Sequence, residues 1–167
     1  MKKFFVFLII GLVAGSAAWG ATIGITVNAA SKLEVSAGSD PVTWTIALDN
    51  SGTAIDLPSQ GQLTVKASKS AYTVTFTSAN SGTLNNGSNT IPYKVKVDTS
   101  AWTTGVATNN LSSYTQLTAS AVKTIVFQSR TPTVGKTFAI GFNIEAYTDY
   151  YVDGAYTDTI TIAIAQN

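Results

Sequence analysis

Phe138-Ala139-Ile140-Gly141-Phe142-Asn143-Ile144 sets a large apolar side chain at every second position, with small or polar residues between. Successive side chains of a β-strand point to opposite faces, so this spacing predicts a strand with one buried and one wet face. The same period recurs on both sides of it. Val42, Trp44, Ile46 and Leu48 alternate with Thr43, Thr45 and Ala47, and Tyr72, Val74 and Phe76 alternate with threonines. Leu63, Val65 and Ala67 form a shorter run. Ile91, Tyr93, Val95 and Val97 alternate with Pro92, Lys94 and Lys96; Pro92 cannot donate to a ladder, which places it near a strand start or on an edge. Ile125, Val126 and Phe127 stand together within residues 123–128, which predicts burial on both faces or a bulge. A last run sets Ile160, Ile162 and Ile164 on one face.

Turn signals separate these runs: Asp49-Asn50-Ser51-Gly52, Asn80-Ser81-Gly82, Asn85-Asn86-Gly87, Val134-Gly135 and Asp153-Gly154. Asn-Gly and Asp-Gly supply the positive φ of tight turns. Seven or eight short strands spaced in this way predict an all-β fold, an immunoglobulin-like β-sandwich, with a barrel as the alternative. Residues 100–120 are rich in Thr, Ser and Asn, with Trp102, Val106, Leu111, Tyr114 and Leu117 as apolar anchors, and read as a long connection with a short helical turn.

The chain has 167 residues, enough for one domain. Its first twenty stand apart. Lys2 and Lys3 precede an apolar run over residues 4–13, and small residues follow from Ala14 to Ala18, which is the pattern of a secretory signal. Cleavage is expected after Gly20, with Ala18 as the other candidate; an uncleaved anchor is the rival reading, against which the run falls short of a membrane span of about 20 residues. The expected organisation is a signal peptide over 1–20, an N-terminal extension over 21–30 and a sandwich domain over 31–167. Loss of Lys2 and Lys3 turns 10 basic and 9 acidic residues into 8 and 9, a net charge of −1. A near-neutral mature chain with scattered charges carries no footprint for nucleic acid, and no stable membrane insertion is expected of it.

The chain contains no cysteine and no histidine, so thiol chemistry, a disulfide framework and the commonest general base and metal ligand are excluded together. Serines abound, but Gly-x-Ser-x-Gly is absent, and the neighbours in Ser31-Lys32 and Ser68-Lys69 would point to opposite faces of a strand. The sequence reads as non-enzymatic, with no cofactor. Glu145, Asp149, Asp153 and Asp158 form the local acidic grouping; it reads either as a calcium loop or as a turn with solvated and backbone-capping carboxylates. Tyr147, Tyr150, Tyr151 and Tyr156 cluster nearby and, with Trp102, read either as sugar-stacking aromatics or as core and edge residues with wet hydroxyls.

Ile23, Ile25, Val27 and Ala29 alternate directly after the expected cleavage site. An apolar strand free in water is an aggregation hazard, so it needs a groove, in its own sheet or in another molecule's. Residues 22–29 therefore read as the first strand of a complete sandwich or as a strand donated between copies.

The run Gly154-Ala155-Tyr156-Thr157-Asp158-Thr159-Ile160-Thr161-Ile162-Ala163-Ile164 resembles the closing strand of the spore coat protein U domain family, which ends in Gly-x-Tyr-x-Asp-x-hydrophobic-Thr-hydrophobic. Ile91-Pro92-Tyr93-Lys94-Val95-Lys96-Val97-Asp98 is similar to that family's central Leu-Pro-Tyr strand. Members often carry a cysteine pair, which is absent here. The family includes secreted pilins of the archaic chaperone–usher pathway. The resemblance implies an incomplete immunoglobulin-like sandwich, completed by a donated N-terminal strand. Ile23, Ile25, Val27 and Ala29 would then be donor knobs, and Ile160, Ile162 and Ile164 would line the acceptor groove. Implied partners are identical or related fibre subunits, a periplasmic chaperone and an outer-membrane usher. The implied location is the cell surface or a pilus, reached through the periplasm, with a role in cell adhesion. Two other classes stay open: a self-complete sandwich binding glycans, and a coat or envelope protein that does not polymerise.

Overall fold

The alternating runs become antiparallel strands, and the structure, a computed structural model, describes residues 31–37 and 42–167. The predicted signal segment and the candidate donor residues Ile23, Ile25, Val27 and Ala29 lie outside the described residues. In chain order the strands are β1 (Leu33–Ser36), β2 (Ile55–Ala67), β3 (Tyr72–Ser78), β4 (Thr83–Asn85), β5 (Thr90–Pro92), β6 (Lys94–Asp98), β7 (Val106–Asn109), β8 (Lys123–Phe127), β9 (Lys136–Ile144) and β10 (Ile160–Gln166). They form two packed sheets of order β1-β2-β9-β6 and β10-β3-β8-β7, plus the small hairpin β4-β5. The fold is an all-β sandwich. Among the described residues no helix is long and apolar enough to cross a membrane.

The core lies between the sheets and uses the side chains that the alternation selects. Leu63 and Val65 of β2, Val74 and Phe76 of β3, Val95 and Val97 of β6, Ile125 and Phe127 of β8, and Phe138, Ile140, Phe142 and Ile144 of β9 are all buried. Tyr72 stacks on Phe127 with ring centroids 4.9 Å apart, and Tyr93 stacks on Phe142 at 5.3 Å. Such offset pairs add to the burial of large rings.

Four details depart from the sequence reading. First, the run 91–97 is two strands rather than one. β5 pairs with β4 through Thr83↔Pro92, the chain breaks at Tyr93, and β6 then pairs with β9. Pro92 ends a short hairpin strand, where its missing N–H is tolerated. Second, β8 buries Ile125 and Phe127 while Val126 is only half-buried, and the irregular register sits in its partner β7, between Val106 and Thr108. Third, the connection over 100–120 holds the 3₁₀ turn Ser100–Gly105 and the strand β7. Its remainder is a strap anchored by the fully buried Leu111 and the buried Leu117. Val95 and Thr115 exchange backbone hydrogen bonds of 3.0 and 2.9 Å, and the Val97 N–H donates to the Leu111 carbonyl at 2.7 Å. The strap thereby covers the outer edge of β6.

Fourth, residues 42–48 keep their alternation without joining a sheet. Trp44, Ile46 and Leu48 are half-buried against the core, while Thr43, Thr45 and Ala47 are exposed. None of the backbone hydrogen bonds among the described residues involves this segment. Sequence alternation reports which side chains are buried, not whether the backbone finds a partner.

The registers define two ends. Leu33↔Ala67, Val65↔Lys136, Tyr72↔Phe127 and Tyr72↔Gln166 gather residues 68–71 and 128–135 at what we term the β2–β3 end. Ile55↔Ile144 and Ser78↔Ile160 gather residues 49–54 and 145–159 at the opposite, β9–β10 end. Ser31, the first described residue, lies at the β2–β3 end, since the adjacent Lys32 carbonyl accepts from the Ser68 N–H at 2.8 Å.

Candidate functional site

The two sides of the sandwich are finished differently. On one side the strap shields β6. On the other, β10 is the outermost strand of its sheet, and among the described residues nothing pairs with its outer edge. A bare strand edge presents a row of unused N–H and C=O groups, which proteins normally cover. Beside this edge a cleft of about 590 Å³ opens onto the core. Ile160 and Ile162 of β10 form one wall and Trp44 and Ile46 of the unpaired segment another; Phe76, Tyr93, Ile140 and Phe142 lie deeper. Ile160, Ile162 and Ile164 alternate half-buried with exposed residues, whereas the equivalent residues of β9 are fully buried.

Trp44 is held by shape. Its ring meets Phe142 edge-on, with centroids 6.3 Å apart. A Cβ at Gly61 would fall 2.4 Å from Trp44 Cζ2, so only glycine at the irregular stretch of β2 admits the ring. The indole Nε1 is buried and has no hydrogen-bond partner among the described residues. Burying an unpaired donor is unfavourable, and this one lies against Gly61, 3.2 Å from where a Cβ there would stand.

Asp158 sits at the entry to β10 and lines the same cleft. Its Oδ2 accepts from the Ser78 hydroxyl at 2.5 Å and the Tyr93 hydroxyl at 2.6 Å. Its Oδ1 accepts from the Asn80 N–H at 2.9 Å and from the Thr159 N–H at 2.7 Å. One carboxylate thus ties the start of β10 to the end of β3, to the following turn and to the core tyrosine before β6. Burial, followed by the hydrogen bond to Asp158, pushes the Tyr93 hydroxyl well above the usual tyrosine pKa. The turn itself needs Gly82, which has φ 75° and whose Cβ would meet Gln116 Cγ at 2.5 Å.

Of the acceptor residues expected from sequence, Ile160 and Ile162 line the cleft, while Ile164 packs half-buried on the core farther along β10. The donor residues lie outside the described residues. Periodicity did mark Trp44, Ile46, Phe76, Tyr93 and Phe142 as apolar, but nothing local shows that they share a cleft. Asp158 was legible only as one of several acidic residues. Asp149 and Asp153 are exposed, and among the described residues no group of three potential metal ligands comes together. Trp102 is wedged among Phe127 and Phe138 at 5.9 and 6.3 Å rather than standing free on the surface. Tyr147 and Tyr151 pair at 4.7 Å, and Tyr150 is 83% exposed. The loop that carries them is pinned to residues 50–52. The Asn50 amide donates to the Tyr151 carbonyl at 2.9 Å, and the Tyr147 N–H donates to the Gly52 carbonyl at 3.1 Å. No protein-family model matches the chain, and no curated protein matches it.

Proposed function

We propose that this chain is the structural subunit of a secreted surface fibre, an incomplete immunoglobulin-like sandwich that polymerises by accepting the N-terminal strand of another copy. The observation that carries this reading is the outer edge of β10, which no described strand pairs with although β1 lies near it, beside an apolar cleft that reaches the core. Strand addition needs both features: a ladder edge for affinity and pockets for alternate side chains. Residues 22–29 offer the matching half, with Ile23, Ile25, Val27 and Ala29 at every second position. Burying each of the larger donor side chains contributes about 1.5–3 kcal/mol, and the backbone ladder fixes register. Because the donated segment and the receiving cleft are different surfaces, the contact is heterologous and need not close, which yields a fibre rather than a ring. On this reading a periplasmic chaperone occupies the cleft before assembly at an outer-membrane usher. The spore coat protein U resemblance, with its Gly-x-Tyr-x-Asp closing run, supports the same assignment.

The test compares the exported protein with and without residues 21–30, alongside Val27→Asp. Denaturant-resistant ladders from the intact protein, and their loss in both variants, are expected. Stable monomers from the intact protein and from both variants would overturn the reading. A glycan-binding module is the second reading, favoured by the exposed Tyr150 ring beside the Tyr147–Tyr151 pair. Glycan binding that Tyr150→Ala abolishes would support it.

A further inference from the structure

The charges of this near-neutral chain are sorted by end. At the β9–β10 end Asp49, Asp56, Glu145, Asp149, Asp153 and Asp158 face Lys94, Lys96 and Lys123, a net of −3 among the described residues. At the β2–β3 end Lys32, Lys66, Lys69, Arg130 and Lys136 face Glu34 and Asp98, a net of +3 among the described residues. Among the described residues little of this is neutralised. The ion pairs among the described residues are Lys32–Glu34 and Lys94–Glu145, each between residues of the same end. Lys66, Lys69, Arg130 and Lys136 have no carboxylate within ion-pair distance there, and neither Asp149 nor Asp153 has a cation. Exposed apolar side chains stand at both ends, Tyr150 and Val152 at one and Val134 at the other.

We propose that successive copies dock end to end through this polarity, the acidic β9–β10 end of one against the basic β2–β3 end of the next. The proposal rests on the fibre reading and adds what selects the orientation. β2 alone spans 13 residues, roughly 40 Å of extended chain, far beyond the screening length of about 8 Å at physiological salt. Each copy therefore presents two separate poles: side-by-side parallel copies repel, and head-to-tail copies attract. The partner is a second copy because the chain offers both poles, and because the described body begins, at Ser31, at the basic end. The cleft lies toward the acidic end, where Asp158, Thr159 and Ile160 line it. A strand crossing from one copy into the next brings a basic end onto an acidic one. Long-range attraction of this kind speeds encounter by about 10- to 1000-fold and fades as salt rises.

The experiment follows assembly of the exported protein by light scattering and sedimentation from about 0.01 M to about 1 M salt, over which the screening length falls from about 30 Å to about 3 Å. Two double variants reverse one pole each: Lys69→Glu with Arg130→Glu, and Asp149→Lys with Asp153→Lys. None of these four residues lines the cleft. Wild-type assembly is expected to slow at least about ten-fold across the salt range. Each single-pole reversal is expected to slow it comparably at low salt, and the variant with both poles reversed to recover most of the rate. A purely structural effect of the substitutions would not be rescued in this way. Fibres whose rate ignores salt and both reversals would overturn end-to-end pairing and leave the fibre reading standing. If no denaturant-resistant ladder forms at any salt, the fibre reading fails. Pairing is then decided by reversible self-association at low salt: its presence, abolished by single reversals and restored by the double, supports pairing, and its absence overturns it.

Discussion

Replacing Asp158 with alanine should destabilise the fold more than any other single change at the surface of the cleft. The carboxylate accepts four hydrogen bonds, from the Ser78 and Tyr93 hydroxyls and from the Asn80 and Thr159 N–H groups. The Ser78 hydroxyl can rotate, and Thr159 is exposed. The Tyr93 hydroxyl cannot escape, because the residue is 2% exposed, and the Asn80 N–H is fixed by its turn. Hydrogen bonds to an ionised group contribute about 1.5–3 kcal/mol each, so stranding these two donors should cost about 3–5 kcal/mol, against a typical total of about 5–15 kcal/mol. Urea unfolding with a slope of about 2 kcal/mol/M should show a midpoint lowered by about 1.5–2.5 M. Tyr93→Phe removes one donor and leaves the carboxylate three others, so it should cost only about 1 kcal/mol. In the double variant the losses should fall short of their sum by about 1 kcal/mol or more, as expected for directly bonded partners. Strict additivity, or an Asp158→Ala loss under about 1 kcal/mol, would refute the claim that this carboxylate clasps β10 to the sandwich.

Tyr72 is fully buried, its hydroxyl has no hydrogen-bond partner among the described residues, and burial pushes its pKa up to about 12 from a usual value near 10. The folded state then holds its proton where the unfolded chain has lost it. Stability is full below pH 10 and declines from there to about pH 12, by up to about 3 kcal/mol. Tyr72→Phe should flatten that decline in alkaline unfolding titrations and raise neutral stability by about 1 kcal/mol, since no hydrogen bond is lost; a less stable variant would contradict this. Gly61→Ala should push Trp44 off Phe142, because the new Cβ would fall 2.4 Å from the ring, at about 1–3 kcal/mol. With Trp102 replaced by phenylalanine in protein beginning at residue 21, the remaining tryptophan, Trp44, should emit at longer wavelength in that variant. An unchanged spectrum would mean that the ring is not wedged as described.

The lesson of residues 42–48 and of β10 is the same. Both have the alternation of half-buried strands, yet among the described residues one joins no ladder and the other pairs on one edge only. Residues 100–120 teach the reverse: a Thr- and Asn-rich stretch with weak periodicity holds β7 and a strap, because Leu111 and Leu117 find places in a core built by distant strands. Ile160 and Ile162, the expected acceptor residues, were legible as one face of a strand. Their partners in the cleft were not, since Trp44 and Phe142 are brought together only by folding.

By itself the sequence determined the all-β class, the inward face of β2, β3, β6, β9 and β10, and the turns at Asn50, Gly52, Ser81 and Gly82, each of which has positive φ. These are local properties: a period of two follows from the geometry of an extended chain, and a positive φ from a residue's own sterics. The tertiary structure alone decided the strand order, the split at Tyr93, the clasp that joins Asp158 to Ser78 across 80 residues, and the sorting of charge to opposite ends. Those depend on which strands become neighbours, and pairing is set by burial and ladder formation summed over the whole chain, which no short stretch records.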